Sequence, residues 1–249
     1  MKKSATLILL CFCIGVVYSQ NNLPVNEWLV SDPFNLNTPA FSNQKNQEST
    51  PFKMESFFRN YNPEKELVWP AENDQIRGGG SLVSTWKKQL VDSSGIKFDK
   101  GDNSNTLHFL AFYVFPDRFV KGSLEVTSGN RLEIYLDGKM VASKYTVEKK
   151  NSQPVNANLV LEQKKYFVLI KLLDSSSDSI PASIKACLKV DKNFSKANIS
   201  INTNPKSEIS FEDILERENL GNVSISPDGK LAIIGYGITN KGNGTKERY

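Results

Sequence analysis

The sequence predicts an all-β protein built as a sandwich or jelly roll. Two observations carry this. From Thr106 onward, short apolar or alternating runs recur at close spacing with turn-forming pairs between them, and no long helical run separates them. The composition agrees, because 39% hydrophobic and 23% charged residues exclude wholesale disorder and allow a sizeable core. The formal net charge of +4 falls by two if a leader carrying Lys2 and Lys3 is removed. That is no footprint for nucleic acid.

Met1-Lys2-Lys3 is a short basic head, followed by an apolar run from Ala5 to Tyr18 and by Val17-Tyr18-Ser19 ahead of Gln20. This architecture predicts a cleaved secretory signal peptide over residues 1–19. The apolar run falls short of the roughly 20 residues needed to span a bilayer, so no stable membrane span is expected after cleavage. Leu10 and Phe12 precede Cys11 and Cys13, where a lipoprotein signal needs small residues. Cleavage leaves Cys187 as the single cysteine, which cannot form an intramolecular disulfide. The expected location is exported, periplasmic or extracellular in a bacterium. The Asn-x-Ser/Thr triplets at Asn193, Asn198, Asn222 and Asn243 would then be idle.

From Gln20 to about Gly101 the reading is irregular. Glu27–Val30 forms a short strand closed by Asp32-Pro33, and Ser42–Thr50 forms a polar loop. Gly78-Gly79-Gly80 lies before a strand at Leu82–Trp86. The three glycines lack the spacing and the Lys-Ser pair of a phosphate cradle and read as a flexible turn. Regular strands then follow at Thr106–Phe115, Gly122–Thr127 and Arg131–Leu136. In the last, Leu132, Ile134 and Leu136 share one face, and Arg131, Glu133 and Tyr135 the other. Asp137-Gly138 signals a hairpin to Lys139–Ser143. Asn158–Leu161 and Lys165–Leu173 read as another pair, before strands at Ser183–Val190 and Asn198–Thr203. Residues 20–205 are thus expected to form one jelly-roll-like β-sandwich.

Candidate chemistry is sparse. The chain holds one histidine, His108, so a multi-histidine metal site is excluded. His108 lies within an apolar strand and reads as a strand side chain rather than a base for Cys187. Cys187 itself reads as a small buried hydrophobe. Trp28, Trp69 and Trp86 read as packing residues rather than a platform for sugar rings. No catalytic, cofactor-binding or metal-binding residue is assigned, and no cofactor is expected.

After Asn204-Pro205 the texture changes. Ser210–Arg217 is expected to form a short helix, with Ser210 as N-cap and Phe211, Ile214 and Leu215 on one face. Asn222–Ile234 then reads as strand, tight turn and strand, with Pro227 and Gly229 shaping the turn.

Ser226-Pro227-Asp228-Gly229-Lys230 before an apolar strand resembles the repeat signature of bacterial β-propellers. With the preceding Phe211–Leu215 helix, it resembles the propeller entry of exported prolyl oligopeptidase family serine peptidases. Upstream, EWLVSDPF, LVWP and EIYLDGKMVAS resemble accessory jelly-roll domains of the carbohydrate-module and protective-antigen type. The calcium-dependent sugar binders of that type carry an acidic pair where this chain has Ser128-Gly129-Asn130, so no binding residue is carried over. The resemblance implies that residues 206–249 open a truncated first β-propeller blade. It also implies that the chain is the non-catalytic N-terminal part of a peptidase. The parent would hydrolyse peptide substrates through a Ser-His-Asp triad beyond Tyr249, with homo-oligomers within reach. The alternative is an extracytoplasmic carbohydrate-binding or scaffold protein without catalysis.

Overall fold

The computed structural model describes residues 22–36, 45, 58, 69–77, 83–99, 105–148, 152–176, 178–206, 219–239 and 246–248. The leader over residues 1–19, most of the loop Ser42–Thr50, the turn Gly78–Ser81 and the helix Ser210–Arg217 lie outside them. The chain divides into two compact units at the Pro205–Lys206 peptide.

The first unit opens with β1 (Asn22–Pro24), β2 (Glu27–Ser31), β3 (Phe34–Leu36), β4 (Gln75–Arg77), β5 (Val83–Leu90) and β6 (Ile96–Lys97). It continues through β7 (Asn105–Pro116), β8 (Val120–Thr127), β9 (Arg131–Leu136), β10 (Lys139–Lys144) and β11 (Val155–Leu161). It closes with β12 (Tyr166–Asp174), β13 (Ser183–Val190), a 3-10 turn at Lys192–Phe194 and β14 (Ile199–Asn202). The described pairings are all antiparallel. One sheet runs β1-β13-β8-β11, with β6 also on β13. The other runs β10-β9-β12-β7-β2-β5-β4, with β3 and β14 also on β7.

The organising element is β7, a 12-residue run almost wholly apolar. Such a run is stable only where both of its faces are covered. Its even positions, Leu110, Phe112 and Val114, pack into the core between the two sheets. Its odd positions, Leu107, Phe109, Ala111 and Tyr113, join a second cluster on the opposite face, with Phe58, Ile76 and Trp86. Along one edge β7 pairs continuously with β12. The other edge is shared in turn by β3, β2 and β14.

The β9–β10 hairpin forms as the Asp-Gly pair predicts. Asp137 and Gly138 both take positive φ, 48° and 81°, the turn that matches strand twist. Three expectations change. The stretch from Gln20 to Gly101, read as irregular with strands at Glu27–Val30 and Leu82–Trp86, supplies six strands among the described residues, mostly too short to show a period. The runs Asn158–Leu161 and Lys165–Leu173 do not pair with each other: β11 pairs β8, and β12 pairs β7 and β9. Burial gives the reason. β11 alternates between buried and exposed, as an edge strand over one core does, whereas β12 is buried throughout and needs a sheet covered on both sides. The polar face expected on β9 is also covered, because Glu133 and Tyr135 sit under the second cluster.

The second unit is an antiparallel three-stranded sheet of β15 (Asn219–Ile225), β16 (Ala232–Thr239) and β17 (Lys246–Arg248). Between β15 and β16 the Gly229 N–H donates to the Ser226 carbonyl at 2.9 Å, and the Ser226 N–H to the Leu231 carbonyl at 2.8 Å. Among the described residues, no helix is long and apolar enough to cross a membrane.

Candidate functional site

The side chains weighed from sequence are dispersed by the fold. His108 shares the inward parity of Leu110 and stacks on Phe98, with ring centroids 4.0 Å apart. Burial lowers its pKa to about 4, so it is neutral near pH 7. Its Nδ1 has no hydrogen-bond partner among the described residues. Cys187 falls between Ala186 and Leu188, both core residues, and so faces outward on β13. It is half-buried rather than buried as expected, and burial pushes its thiol pKa up. The fold therefore aims His108 and Cys187 to opposite sides of the first sheet. Trp28 and Trp86 are buried, and Trp69 packs on the second cluster. The outward face of the first sheet carries polar side chains such as Ser123, Glu125, Lys189 and Asn158, and no aromatic ring among the described residues.

Sequence reasoning missed three polar assemblies. The first lies on the covered face of the second sheet. Lys171 on β12 stands opposite Glu133 on β9, with Nζ 3.2 Å from Oε2. Glu133 also accepts from the Tyr135 hydroxyl at 2.7 Å and the Tyr145 hydroxyl at 2.9 Å. Lys171 donates to the Phe58 carbonyl and lies over the Phe58 and Tyr135 rings, 5.5 and 5.6 Å from their centroids. Burial lowers the Lys171 pKa, and Glu133 opposes that shift. The network satisfies its own charges, as a buried ion pair must.

The second assembly closes one end of the sandwich. Here the Ser128-Gly129-Asn130 turn joins β8 to β9. Arg131 donates through one guanidinium nitrogen to both carboxylate oxygens of Asp178, at 3.0 and 2.8 Å. The other groups interlock: Ser175 N–H donates to Asp178, Ser175 Oγ–H to Asn105 Oδ1 at 2.8 Å, and Lys144 to the Ser128 carbonyl. A Cβ on Gly129 would stand 2.5 Å from Ile180 Cδ1 and 2.9 Å from the Glu148 carbonyl oxygen, so the turn is capped from above. Asn130 Nδ2 reaches Asp174 at 3.5 Å, while its Oδ1 has no partner among the described residues. The carboxylates at this end, Asp174 and Asp178, lie at the end of β12 and in the loop after it and are engaged by Asn130, Arg131 and Ser175. Among the described residues, no group of three His, Cys, Asp or Glu side chains is arranged to hold a metal ion.

The third assembly lies at the opposite end, where the β7–β8 loop meets the chain leading into β14. Asp117 and Arg118 form a two-bond ion pair, with both contacts at 3.0 Å. That pair holds the Asp117 carboxyl below the usual carboxylate range and raises Arg118. The Asp117 N–H donates to the Asn198 carbonyl at 2.9 Å, and the Asn198 N–H returns to Asp117 Oδ1 at 3.0 Å. On this frame Phe119 meets Phe194 edge to face, 5.6 Å between centroids. Phe119 is 44% exposed. The visible signal was the Pro116-Asp117-Arg118-Phe119 stretch, a turn pair followed by an aromatic residue between two strands. This end can offer an aromatic face beside planar donors and acceptors.

No family model matches the chain, and no curated protein matches it. Among solved structures, the chain matches a GH31 α-xylosidase from Xanthomonas citri at 15% identity and TM-score 0.31, covering 42% of this chain and 11% of that one. It matches a β-glucosidase from Kluyveromyces marxianus at 13% identity and TM-score 0.37, covering 67% and 16%. It also matches a PA14 sugar-binding domain from an RTX adhesin at 9% identity and TM-score 0.32, covering 71% and 96%. The chain therefore spans under a fifth of the two hydrolases. Superpositions this distant assign no activity to it. The resemblance to the prolyl oligopeptidase family is overturned: no family model or curated peptidase matches, and these structural matches are glycoside hydrolases and an adhesin domain. A five-residue turn signature recurs wherever two strands need a tight polar connection, so it does not specify a family by itself.

Proposed function

We propose that the first unit is an extracytoplasmic carbohydrate-binding module without catalysis. The end that carries Asp117, the open end, supports the reading: a part-exposed aromatic residue, Phe119, follows directly on an Asp-Arg pair whose side chains remain 36% and 59% exposed. A sugar presents an apolar ring face and a rim of hydroxyls. Aromatic faces bind the first, and a few fixed planar polar groups bind the second. The chain's single histidine is buried against Phe98 and offers no exposed imidazole base. The finer fold reading belongs here too. We take the first unit as jelly-roll-like and β15–β17 as strands of a propeller blade. Export rests on the signal architecture of residues 1–19.

The test is a glycan array followed by titration calorimetry on the strongest glycan found. Phe119→Ala is expected to weaken binding roughly tenfold, about 1.4 kcal/mol, while the lost contact with Phe194 lowers the melting temperature only slightly and leaves the chain folded. If the wild-type chain captures no glycan, or Phe119→Ala binds as tightly as wild type, the reading fails.

A further inference from the structure

An unpaired sheet edge offers a row of backbone donors and acceptors to any other strand, and stable proteins blunt such edges. Among the described residues, β3, β6 and β14, of two to four residues, each pair with a single strand, and the two sheet paths of the first unit end on four more strands. Three of these carry blunting devices. β1 has three residues and includes Pro24, and β4 has three and includes Arg77. β10 carries Lys139 and Lys144 at its ends and a register shift between Met140 and Ala142.

The fourth edge, β11, carries none. Its seven residues, Val155 to Leu161, include no charge, proline or glycine, and they keep an unbroken register against β8. Among the described residues, β11 makes no backbone hydrogen bond beyond its β8 ladder, although β10 of the other sheet comes close beside it without pairing. Its outward side chains include Val160, 59% exposed.

We infer that the first unit pairs with a second copy of itself along β11, antiparallel about a two-fold axis at Asn158. The sequence of the strand favours a copy over an unrelated partner, because it is complementary to its own reversal. Centred on Asn158, Val155 faces Leu161 and Ala157 faces Leu159, so apolar residues continue both cores across the join. Asn156 then faces Val160, and the two Asn158 amides meet on the outward face, where they can hydrogen-bond. No like charges oppose one another. The contact is self-complementary, as a closed two-fold dimer requires, and it hides the exposed edges of both copies.

Sedimentation of the whole chain over a concentration series tests this. Wild type is expected to dimerise reversibly. Asn158→Asp and Asn158→Lys each place like charges face to face at the axis and should each weaken the dimer at least about tenfold. An equimolar mixture of the two variants should recover a dimer. Asn158 is exposed, so both variants should melt like wild type. A chain that stays monomeric at every concentration overturns the inference. So does a dimer that both variants keep, or a mixture that remains monomeric.

Discussion

The two ends of the sandwich are built with the same ion pair and put it to opposite uses. At the closed end Arg131 clasps Asp178, with side chains only 15% and 5% exposed. At the open end Arg118 clasps Asp117, and more than half of the Arg118 side chain stays exposed. The ends lie roughly 36 Å apart along the 12 residues of β7, at ~3.3 Å per residue. Between sites with matching chemistry, burial decides the role. A desolvated pair locks loops together and is costly to break, whereas an exposed pair contributes little to stability and keeps its polar groups available.

The sharpest way to break this contrast is Asp178→Ala. It leaves Arg131 buried without its carboxylate and strips the Ser175 N–H of its acceptor. The loss of unfolding free energy is expected at about 3 kcal/mol, read by urea denaturation, with glycan binding at the far end unchanged. A loss below about 1 kcal/mol would mean the closed end is not locked by this pair.

A second effect of similar size follows from pH. His108 lies three residues into β7 from the closed end, and its folded pKa of about 4 is below the usual 6.5. Between those values the unfolded state binds the proton and the folded state does not. Stability is therefore full above about pH 6.5 and falls as pH drops towards 4, by up to about 3 kcal/mol at 1.36 kcal/mol per unit. Denaturation of wild type and His108→Phe at pH 7 and pH 4.5 checks this. The variant should lose less stability on acidification, and parallel curves would show that His108 is not the sensor.

The smallest stability effect belongs to the open end. Arg118→Ala is expected to move unfolding free energy by less than about 0.5 kcal/mol while lowering glycan affinity several-fold. A large drop in stability would make the open end a structural latch like its counterpart, and the functional contrast would collapse.

Much of the strand content was legible because periodicity and turn chemistry are local. The alternation of Arg131–Leu136 and the Asp137-Gly138 pair predict β9, its turn and β10 from neighbouring residues alone. The Gln20–Gly101 strands were mostly hidden, since two- and three-residue strands such as β6 and β3 have no period to read and exist only because β13 and β7 pair with them. The site was less legible still. Arg131 and Asp178 are 47 positions apart, and Lys171 and Phe58 are 113 apart. Nothing local marks either contact.

By itself the sequence determined that the chain is all-β, that Asp137-Gly138 turns one strand back on the next, and that one histidine cannot build a multi-histidine metal centre. Those properties are set by hydrophobic spacing, turn residues and composition, which act over a few positions. The tertiary structure alone decided that β11 and β12 part to different sheets and that Glu133 and Lys171 are buried together. It also decided that Phe119 stays in water while all but one of the chain's tryptophans are fully covered. These outcomes depend on which strand lies beside which, and so on contacts between residues far apart in the chain.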